Sequence, residues 1–549
     1  MGIRGFSGIL FLTEVEILPG PVLKISARRT SRLERSRRAP SARPFPAKSH
    51  RSGAMSRRLI GAFLLVAAGP AAATPPRAPQ SDAGRLPEPR LRLKDAFEEA
   101  SATTIRHGTF SVWENRGRQS ARVLDLDVVV LPARGAEVGE KTCPDPVFVF
   151  AGGPGQNAAG HFRGWVDHWM RRQRDIVLVS QRGTGGNNRL EIDLPGGDEN
   201  PQGYLDPIFL EEPFRTGLKK LSERFDLSQY STWTAMDDVN DLRLALGYGR
   251  INLYGGSYGS RAVLVYIRQH GATVRTAILN GAAPMSFRNP LYHARGAQDA
   301  LDLIFAECAA DPKCAAAFGD LRARFKAVLE RLDRGPVHAT VRHPVSGKAQ
   351  RVVLSREAFG EALRIVMYHD SRDVPLLIHR AHEGDFDYFA QRGAEANRAV
   401  RRSLAFGMLA CVTCTEDVAR IDPDSIADLT ADTFLGDGRV RRQMSICQFW
   451  PQSSLAGDFD EPVRSDVPVL ALSGTLDPVT PPRFGEDAVR HLKNGLHVVV
   501  PGGHGVGGPC VESVMRQFLD RGTVAGLDTS CVGKTRLPPF NLGGAGDSP

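Results

Sequence analysis

The feature that most constrains the fold is a series of short apolar runs that alternate with longer amphipathic segments. Several of these runs contain no polar residue, as is typical of strands that are buried on both faces of a parallel sheet. The intervening segments have apolar residues at helical spacing. Alternation of this kind predicts an α/β fold, with a mostly parallel sheet flanked by helices. The predicted strands cover residues 123–131, 147–150, 176–179, 251–254, 276–279, 467–472 and 497–500.

The alternation is interrupted between residues 286 and 460. Helical patterns cover residues 296–310, 315–333, 356–370 and 372–411, with a hairpin-like break around Pro344 to Gly347. Since the strand pattern resumes at residue 467, this block is predicted to be a mainly helical cap inserted into one sheet domain. The 549-residue chain then divides into a core in two parts, 96–285 and 461–535, the cap 286–460 and a disordered tail 536–549.

The net charge of +9 is concentrated in a basic leader. Residues 1–54 carry nine Arg and two Lys against three Glu, which leaves the other residues at only +1. The charge therefore gives no reason to expect nucleic-acid binding. Met55 begins a short positive segment, an apolar run and a small-residue stretch, which together predict a signal peptide over 55–73 and a linker over 74–95.

The signal peptide favours translation from Met55, so that residues 1–54 are not part of the product. The alternative is a genuine disordered basic extension. In either case we expect export to a periplasmic or extracellular location, without stable membrane insertion after the signal is cleaved, because the apolar run is too short for a membrane span.

Eight cysteines suit an exported protein. Cys308 and Cys314 flank a short loop, and Cys510 and Cys531 bracket the last helical stretch. A third pair, Cys414 with Cys447, is favoured over a metal or redox role for the Cys-x-x-Cys at 411–414, because no second pair and no suitable strand accompany it. The sequence does not fix the connectivity, and Cys143 and Cys411 are unassigned.

One pentapeptide predicts a nucleophilic serine. Gly255-Gly256-Ser257-Tyr258-Gly259 lies between the strand at 251–254 and a helical segment over 260–270. A sharp strand-to-helix turn exposes the serine hydroxyl above the sheet, and glycines relieve steric clashes in that turn. The alternative is a glycine-rich turn with an inert serine.

Two later residues supply the base and the acid that a serine nucleophile needs. Asp477 follows the strand at 467–472, and His504 follows the strand at 497–500 in a glycine-rich loop. Their order after the serine is the one expected in this sheet topology. The alternatives are a turn aspartate before proline and a solvated histidine.

The loop at 151–155, Ala-Gly-Gly-Pro-Gly, can direct backbone N–H groups at a developing oxyanion, and the N–H of Tyr258 is the second donor. The segment 503–508 formally matches a dinucleotide fingerprint, but too little chain follows it for the required fold. We therefore expect no nucleotide, metal or other cofactor.

Five motifs in matching order resemble the secreted tripeptidyl/prolyl aminopeptidase group of α/β-hydrolases, including its TAP-like C-terminal segment. They lie at 151–155, 180–185, 255–259, 474–481 and 502–505, within a resemblance that covers roughly residues 100–535. The resemblance implies an α/β-hydrolase fold, a triad of Ser257, Asp477 and His504, and oxyanion donors at Gly153 and Tyr258.

The chain departs from this group at two positions. Ala151 stands where His or Asn often precedes Gly-Gly-Pro-Gly, and Ser180 stands where Asp often precedes Gln-Arg-Gly. The stretch Cys414-Thr415-Glu416-Asp417 resembles a family segment, which makes Glu416 the candidate anchor for a substrate α-ammonium; the alternative is a solvated acidic pair. Arg182 is expected to be structural.

The expected function is that of an exported serine hydrolase, an aminopeptidase that releases residues or short peptides from free N-termini. A carboxylic-ester hydrolase with the same triad and a non-catalytic binding module are the alternatives. The expected partners are small peptide substrates and not nucleic acid, and the oligomeric state is left open.

Overall fold

A computed structural model describes residues 86, 88–98, 103–118, 122–137 and 139–544. The leader over 1–54, the signal peptide over 55–73 and the first part of the predicted linker lie outside the described residues. The strands are β1 (Leu91–Glu98), β2 (Thr103–Trp113), β3 (Val123–Leu131), β4 (Val147–Phe150), β5 (Ile176–Val179), β6 (Ile251–Gly256), β7 (Val274–Asn280), β8 (Val337–Arg342), β9 (Ala349–Leu354), β10 (Val469–Gly474) and β11 (Gly495–Val500).

Nine of these strands form one sheet in the order β1-β2-β3-β5-β4-β6-β7-β10-β11. The six strands from β5 to β11 in that order are parallel, whereas β1, β2 and β3 join the sheet through antiparallel pairs. Two of the predicted wholly apolar strands, β4 and β5, lie in the centre of the sheet and are buried at every position. The α/β fold with a mostly parallel sheet is thus confirmed.

Helices cover both faces of the sheet and build the cap. They are α1 (Arg134–Glu137), α2 (Arg163–Val166), α3 (Glu211–Ser222), α4 (Thr232–Ala245), α5 (Tyr258–His270), α6 (His293–Ala310), α7 (Pro312–Phe318), α8 (Leu321–Asp333), α9 (Arg356–Val366), α10 (Val374–His382), α11 (Phe386–Ser403), α12 (Phe406–Glu416), α13 (Ile426–Thr430), α14 (Gly438–Cys447), α15 (Pro482–Val489) and α16 (Pro509–Arg521).

Two apolar clusters cover the two faces of the sheet. One face packs against α4, α5, α12 and α14, and the other packs against α2 and α16. A separate cluster holds α6 to α11 together with the hairpin of β8 and β9. This third cluster is the inserted cap, which has its own apolar core.

The predicted cap span of 286–460 divides between two of these clusters. Most of the cap cluster comes from residues 297–396, whereas α12, α14 and the chain as far as Val463 contribute mainly to the cluster on the sheet. Helical spacing identifies an amphipathic helix but not the surface against which it packs. The predicted helical stretch 372–411 is also three helices, α10, α11 and α12.

Two boundary predictions are wrong. The linker was expected to extend to residue 95, but β1 begins at Leu91 and pairs with β2 at the edge of the sheet. The tail is predicted to be disordered from residue 536, but Phe540 is buried in the cap cluster, and the Asn541 N–H donates to the Arg372 carbonyl at 3.1 Å.

All three predicted cysteine pairs are bonded, namely Cys308–Cys314, Cys414–Cys447 and Cys510–Cys531. Cys143 and Cys411 are free. Within the part of the chain that the structure describes, no helix combines the length and apolar character that a membrane span requires.

Candidate active site

Ser257 occupies a sharp turn between β6 and α5. Its φ of 54° lies in the left-handed region, which non-glycine residues rarely adopt. Glycines on both sides permit this turn: a Cβ on Gly255 would lie 2.2 Å from the Gly259 carbonyl oxygen, and one on Gly259 would lie 2.3 Å from the Phe150 carbonyl oxygen. The strained backbone presents the serine at the carboxyl end of the sheet, as the pentapeptide predicts.

His504 and Asp477 are hydrogen-bonded at the ends of β11 and β10. The distances from His504 Nδ1 to the two Asp477 carboxylate oxygens are 2.9 and 3.0 Å. The carboxylate is fully buried, and it also accepts hydrogen bonds from the Val479 and Thr480 N–H groups. Burial opposes ionisation of Asp477, but the imidazole and these hydrogen bonds outweigh burial and lower its pKa.

The end of β7 brings the serine close to this pair. The Ser257 N–H donates to the Asn280 carbonyl oxygen at 3.0 Å. A Cβ on the next residue, Gly281, would lie 3.4 Å from His504 Cε1 and 3.5 Å from Asp477 Oδ2. Ser257, His504 and Asp477 therefore converge around residues 280–281, although no hydrogen bond joins Ser257 to His504 among the described residues.

Two residues that the sequence analysis did not identify support the His504 loop. The Thr480 hydroxyl donates to Asp477 Oδ2 at 2.8 Å and lies 3.2 Å from His504 Nδ1. The Asn280 side chain accepts from the Val506 N–H and donates to the Val506 carbonyl, at 2.8 and 2.9 Å. The sequence holds one indication of this role for Thr480. The Asp-Pro-Val-Thr order at 477–480 favours a turn in which the aspartate accepts hydrogen bonds from the residues that follow it.

The Ala-Gly-Gly-Pro-Gly loop lies directly beside the serine. A Cβ on Gly152 would be 3.3 Å from the Ser257 Cβ, and the Gly152 N–H already donates to the Gln156 side chain at 3.0 Å. The N–H groups of Gly153 and Tyr258, by contrast, have no hydrogen-bond partner within the described residues. These two groups are available for an oxyanion, as the first N–H of a helix usually is.

Glu416 does not have the surroundings of an amine anchor, so that prediction is wrong. Its carboxylate is fully buried and accepts hydrogen bonds from the Thr232 N–H at 2.6 Å and the Thr232 hydroxyl at 2.8 Å. The Thr232 hydroxyl in turn lies 2.7 Å from the Tyr258 hydroxyl. Burial raises the pKa of Glu416 to about 7, against the opposing charge of Arg261. Through Thr232, Glu416 is therefore connected to Tyr258, the residue that follows Ser257.

Two further charged residues are structural. Arg182 is buried, pairs with Asp238 at 2.7 Å and donates to three backbone carbonyl groups. Arg261 is buried on α5 and pairs with Asp417 at 2.6 Å. Among the described residues, no group of three or more His, Cys, Asp or Glu side chains is arranged to hold a metal ion.

Two family models match the chain. Residues 145–359 match the model of the alpha/beta hydrolase fold, and residues 432–531 match the model of the TAP-like protein family. The chain has the α/β-hydrolase fold, with a TAP-like C-terminal segment. The second match covers β10, β11 and all of α16, and it therefore includes both Asp477 and His504.

Curated relatives of this α/β-hydrolase include peptidases. Serine protease Hip1 of Mycobacterium tuberculosis is 23% identical over 471 residues, which cover 77% of this chain and 86% of the relative. Proline iminopeptidase of Xylella fastidiosa is 26% identical over 136 residues, which cover 25% of this chain and 32% of the relative. Among solved structures, proline iminopeptidase of Mycobacterium smegmatis has a TM-score of 0.36 and 16% identity to this chain. The superposition covers 76% of this chain and 98% of the iminopeptidase chain.

Proposed function

We propose that this serine hydrolase is an exported peptidase that releases residues or short peptides from the free N-termini of its substrates. The observation that carries the proposal is the hydrogen bond of His504 to a buried Asp477 beside the strained Ser257 turn. A nucleophile, a base and an orienting acid in this order are the machinery of acyl transfer. The relatives named serine protease and proline iminopeptidase support peptides as the substrates.

In the proposed mechanism, Ser257 attacks the scissile carbonyl while His504 accepts its proton through Nε2. Asp477 holds Nδ1 and so fixes the tautomer that leaves Nε2 free to act as the base. The N–H groups of Gly153 and Tyr258 would receive the developing oxyanion, and each such donor typically lowers the barrier by ~3–4 kcal/mol. His504 then protonates the leaving amine, and water hydrolyses the acyl-enzyme.

Export is part of the same proposal. The structure has three disulfides among the described residues. One joins α6 to α7 in the cap, one joins α12 to α14 in the cluster on the sheet, and one joins α16 to the segment that follows it. Disulfides persist in oxidising compartments and are rare in reducing ones, so they support a periplasmic or extracellular location. The predicted signal peptide over 55–73 supports the same route.

Carboxylic-ester hydrolysis is the second candidate, and one observation favours it. Glu416, the residue predicted to hold a substrate α-ammonium, is buried and bonded to Thr232. Without that anchor, the triad would serve an ester as well as a peptide, because both reactions need the same nucleophile and oxyanion donors.

The test compares the purified protein with its Ser257→Ala variant on free-N-terminal peptide anilides, N-blocked anilides and a short acyl ester. We expect turnover of the free-N-terminal anilides only, and its loss in the variant. Ester-only turnover that is lost in the variant would replace the peptidase by an esterase. Absence of turnover by a demonstrably folded protein would refute both and favour a binding module.

A further inference from the structure

Two arginines share one carboxylate where the cap helix α9 meets α14. Arg364 donates to Glu361 Oε2 from Nη2 at 2.9 Å and from Nε at 3.2 Å. Arg439 donates to the same oxygen at 3.3 Å. Across the described ion pairs, Glu361 is the only carboxylate that contacts either guanidinium. Two positive charges are therefore balanced by one negative charge.

This cluster is buried, which makes the excess positive charge significant. The Arg364 side chain is 2% exposed and that of Arg439 is 16% exposed. The Arg439 Nε is inaccessible and has no hydrogen-bond partner among the described residues. A buried positive charge that is not fully balanced is unfavourable, so a bound anion would stabilise this site.

The neighbouring histidine brings no negative charge to the cluster. His293, at the start of α6, is buried, and its Nδ1 has no hydrogen-bond partner in the described structure. Burial, and then the charges of Arg364, Arg439 and His504, lower its pKa well below the ordinary value. His293 is thus neutral and presents an unused polar group to the same region.

Tyr368 connects the arginine cluster to the candidate catalytic histidine. Arg364 Nη1 donates to the Tyr368 hydroxyl at 2.5 Å. The centroids of the Tyr368 and His504 rings are 5.1 Å apart. The backbone carbonyl oxygen of Tyr368 also accepts a hydrogen bond from the backbone N–H of His504 at 2.9 Å. Only one aromatic side chain therefore separates the guanidinium of Arg364 from the imidazole.

We propose that Arg364 and Arg439 form a subsite for a substrate carboxylate on the leaving-group side of the scissile bond. The inference rests on the proposed peptidase function, in which His504 gives its proton to the leaving amine and therefore lies nearest to that part of the substrate. Guanidinium groups bind carboxylates through paired, charge-assisted hydrogen bonds. The preferred substrates are then short peptides with a carboxylate on the residue after the cleaved bond.

That carboxylate could come from a peptide C-terminus or from an acidic side chain, and two substrate pairs distinguish these sources. Both pairs carry the N-terminal residue of the best anilide substrate. The first pair compares a dipeptide that ends in alanine with its C-terminal amide. The second pair compares dipeptide amides that end in glutamate and in glutamine.

We expect kcat/KM to be higher for the charged member of at least one pair by roughly 10- to 100-fold, the range that a hydrogen bond to a charged group supplies. In Arg439→Gln this ratio should fall towards one, and in Arg439→Lys, which keeps the charge, it should recover in part. Arg441→Gln is the matched control, because Arg441 lies on the same helix but is exposed and pairs with Asp437. It should leave the ratio unchanged.

The outcomes separate the two proposals. If no free-N-terminal substrate is cleaved, the peptidase function itself fails. If such substrates are cleaved but both ratios of the wild-type protein are close to one, the carboxylate subsite is refuted, whether or not the Arg439 variants fold. A wild-type preference that survives unchanged in a folded Arg439→Gln protein would also refute it.

Discussion

Replacement of Glu416 by glutamine should change how the stability of the protein depends on pH. The carboxyl group is fully buried, and its pKa rises from 4.5 to about 7 on folding. Below pH 4.5 the group is protonated in both states. As the pH rises towards 7, the unfolded chain ionises while the folded protein keeps the proton, so stability is lost over this window. The two pKa values correspond to a loss of about 3 kcal/mol at pH 8.

Glutamine has nearly the shape of glutamic acid and can still accept from the Thr232 N–H, but it does not ionise. Relative to wild type, Glu416→Gln should therefore gain about 3 kcal/mol in free energy of unfolding between pH 4.5 and pH 8. Urea unfolding of both proteins at the two pH values measures this difference. Glu223→Gln is the control, because Glu223 is exposed at the end of α3. A Glu416→Gln gain no larger than that of the control would refute the buried-carboxyl account.

Three other substitutions test the active-site geometry. Asp477→Asn should lower kcat by about 10⁴-fold in the peptide assay, because the amide favours the wrong tautomer of His504; a loss below tenfold would contradict its role. Thr480→Val should lower kcat/KM about tenfold, because it removes a hydrogen bond to that carboxylate; an unchanged value would show that the hydroxyl is dispensable. Gly259→Ala should cost about 1–3 kcal/mol in urea unfolding, because its Cβ would meet a backbone carbonyl at 2.3 Å, whereas Gly457→Ala, with open space around it, should be neutral; equal effects would contradict the close packing of the turn.

The central strands and the candidate triad could be predicted from the sequence because each has a local signature. Residues 147–150 and 176–179 are wholly apolar, and β4 and β5 have those bounds. Ser257, Asp477 and His504 each follow a strand of the same parallel sheet, and the carboxyl ends of parallel strands meet at one edge of the sheet. Strand order then brings together residues that are distant in the chain.

The missed features depend on tertiary contacts that leave no local signature. In β1 the burial pattern is irregular, with charged residues among partly buried ones, so an edge strand resembles a linker. In α12 all residues are buried, so no amphipathic face distinguished packing on the sheet from packing in the cap. Glu416 lies at the end of that helix, and a charged residue there is expected to be exposed unless its hydrogen-bond partners are known.

The most direct test of the central claim, that Ser257 is the activated nucleophile, is labelling with a fluorophosphonate followed by peptide mass mapping. The account predicts one modified peptide that contains Ser257 in the wild-type protein. Labelling should disappear in Ser257→Ala and be strongly reduced in a folded His504→Gln protein, because the serine then lacks its base. A label on a different serine, or equal labelling of the wild type and both variants, would contradict the account.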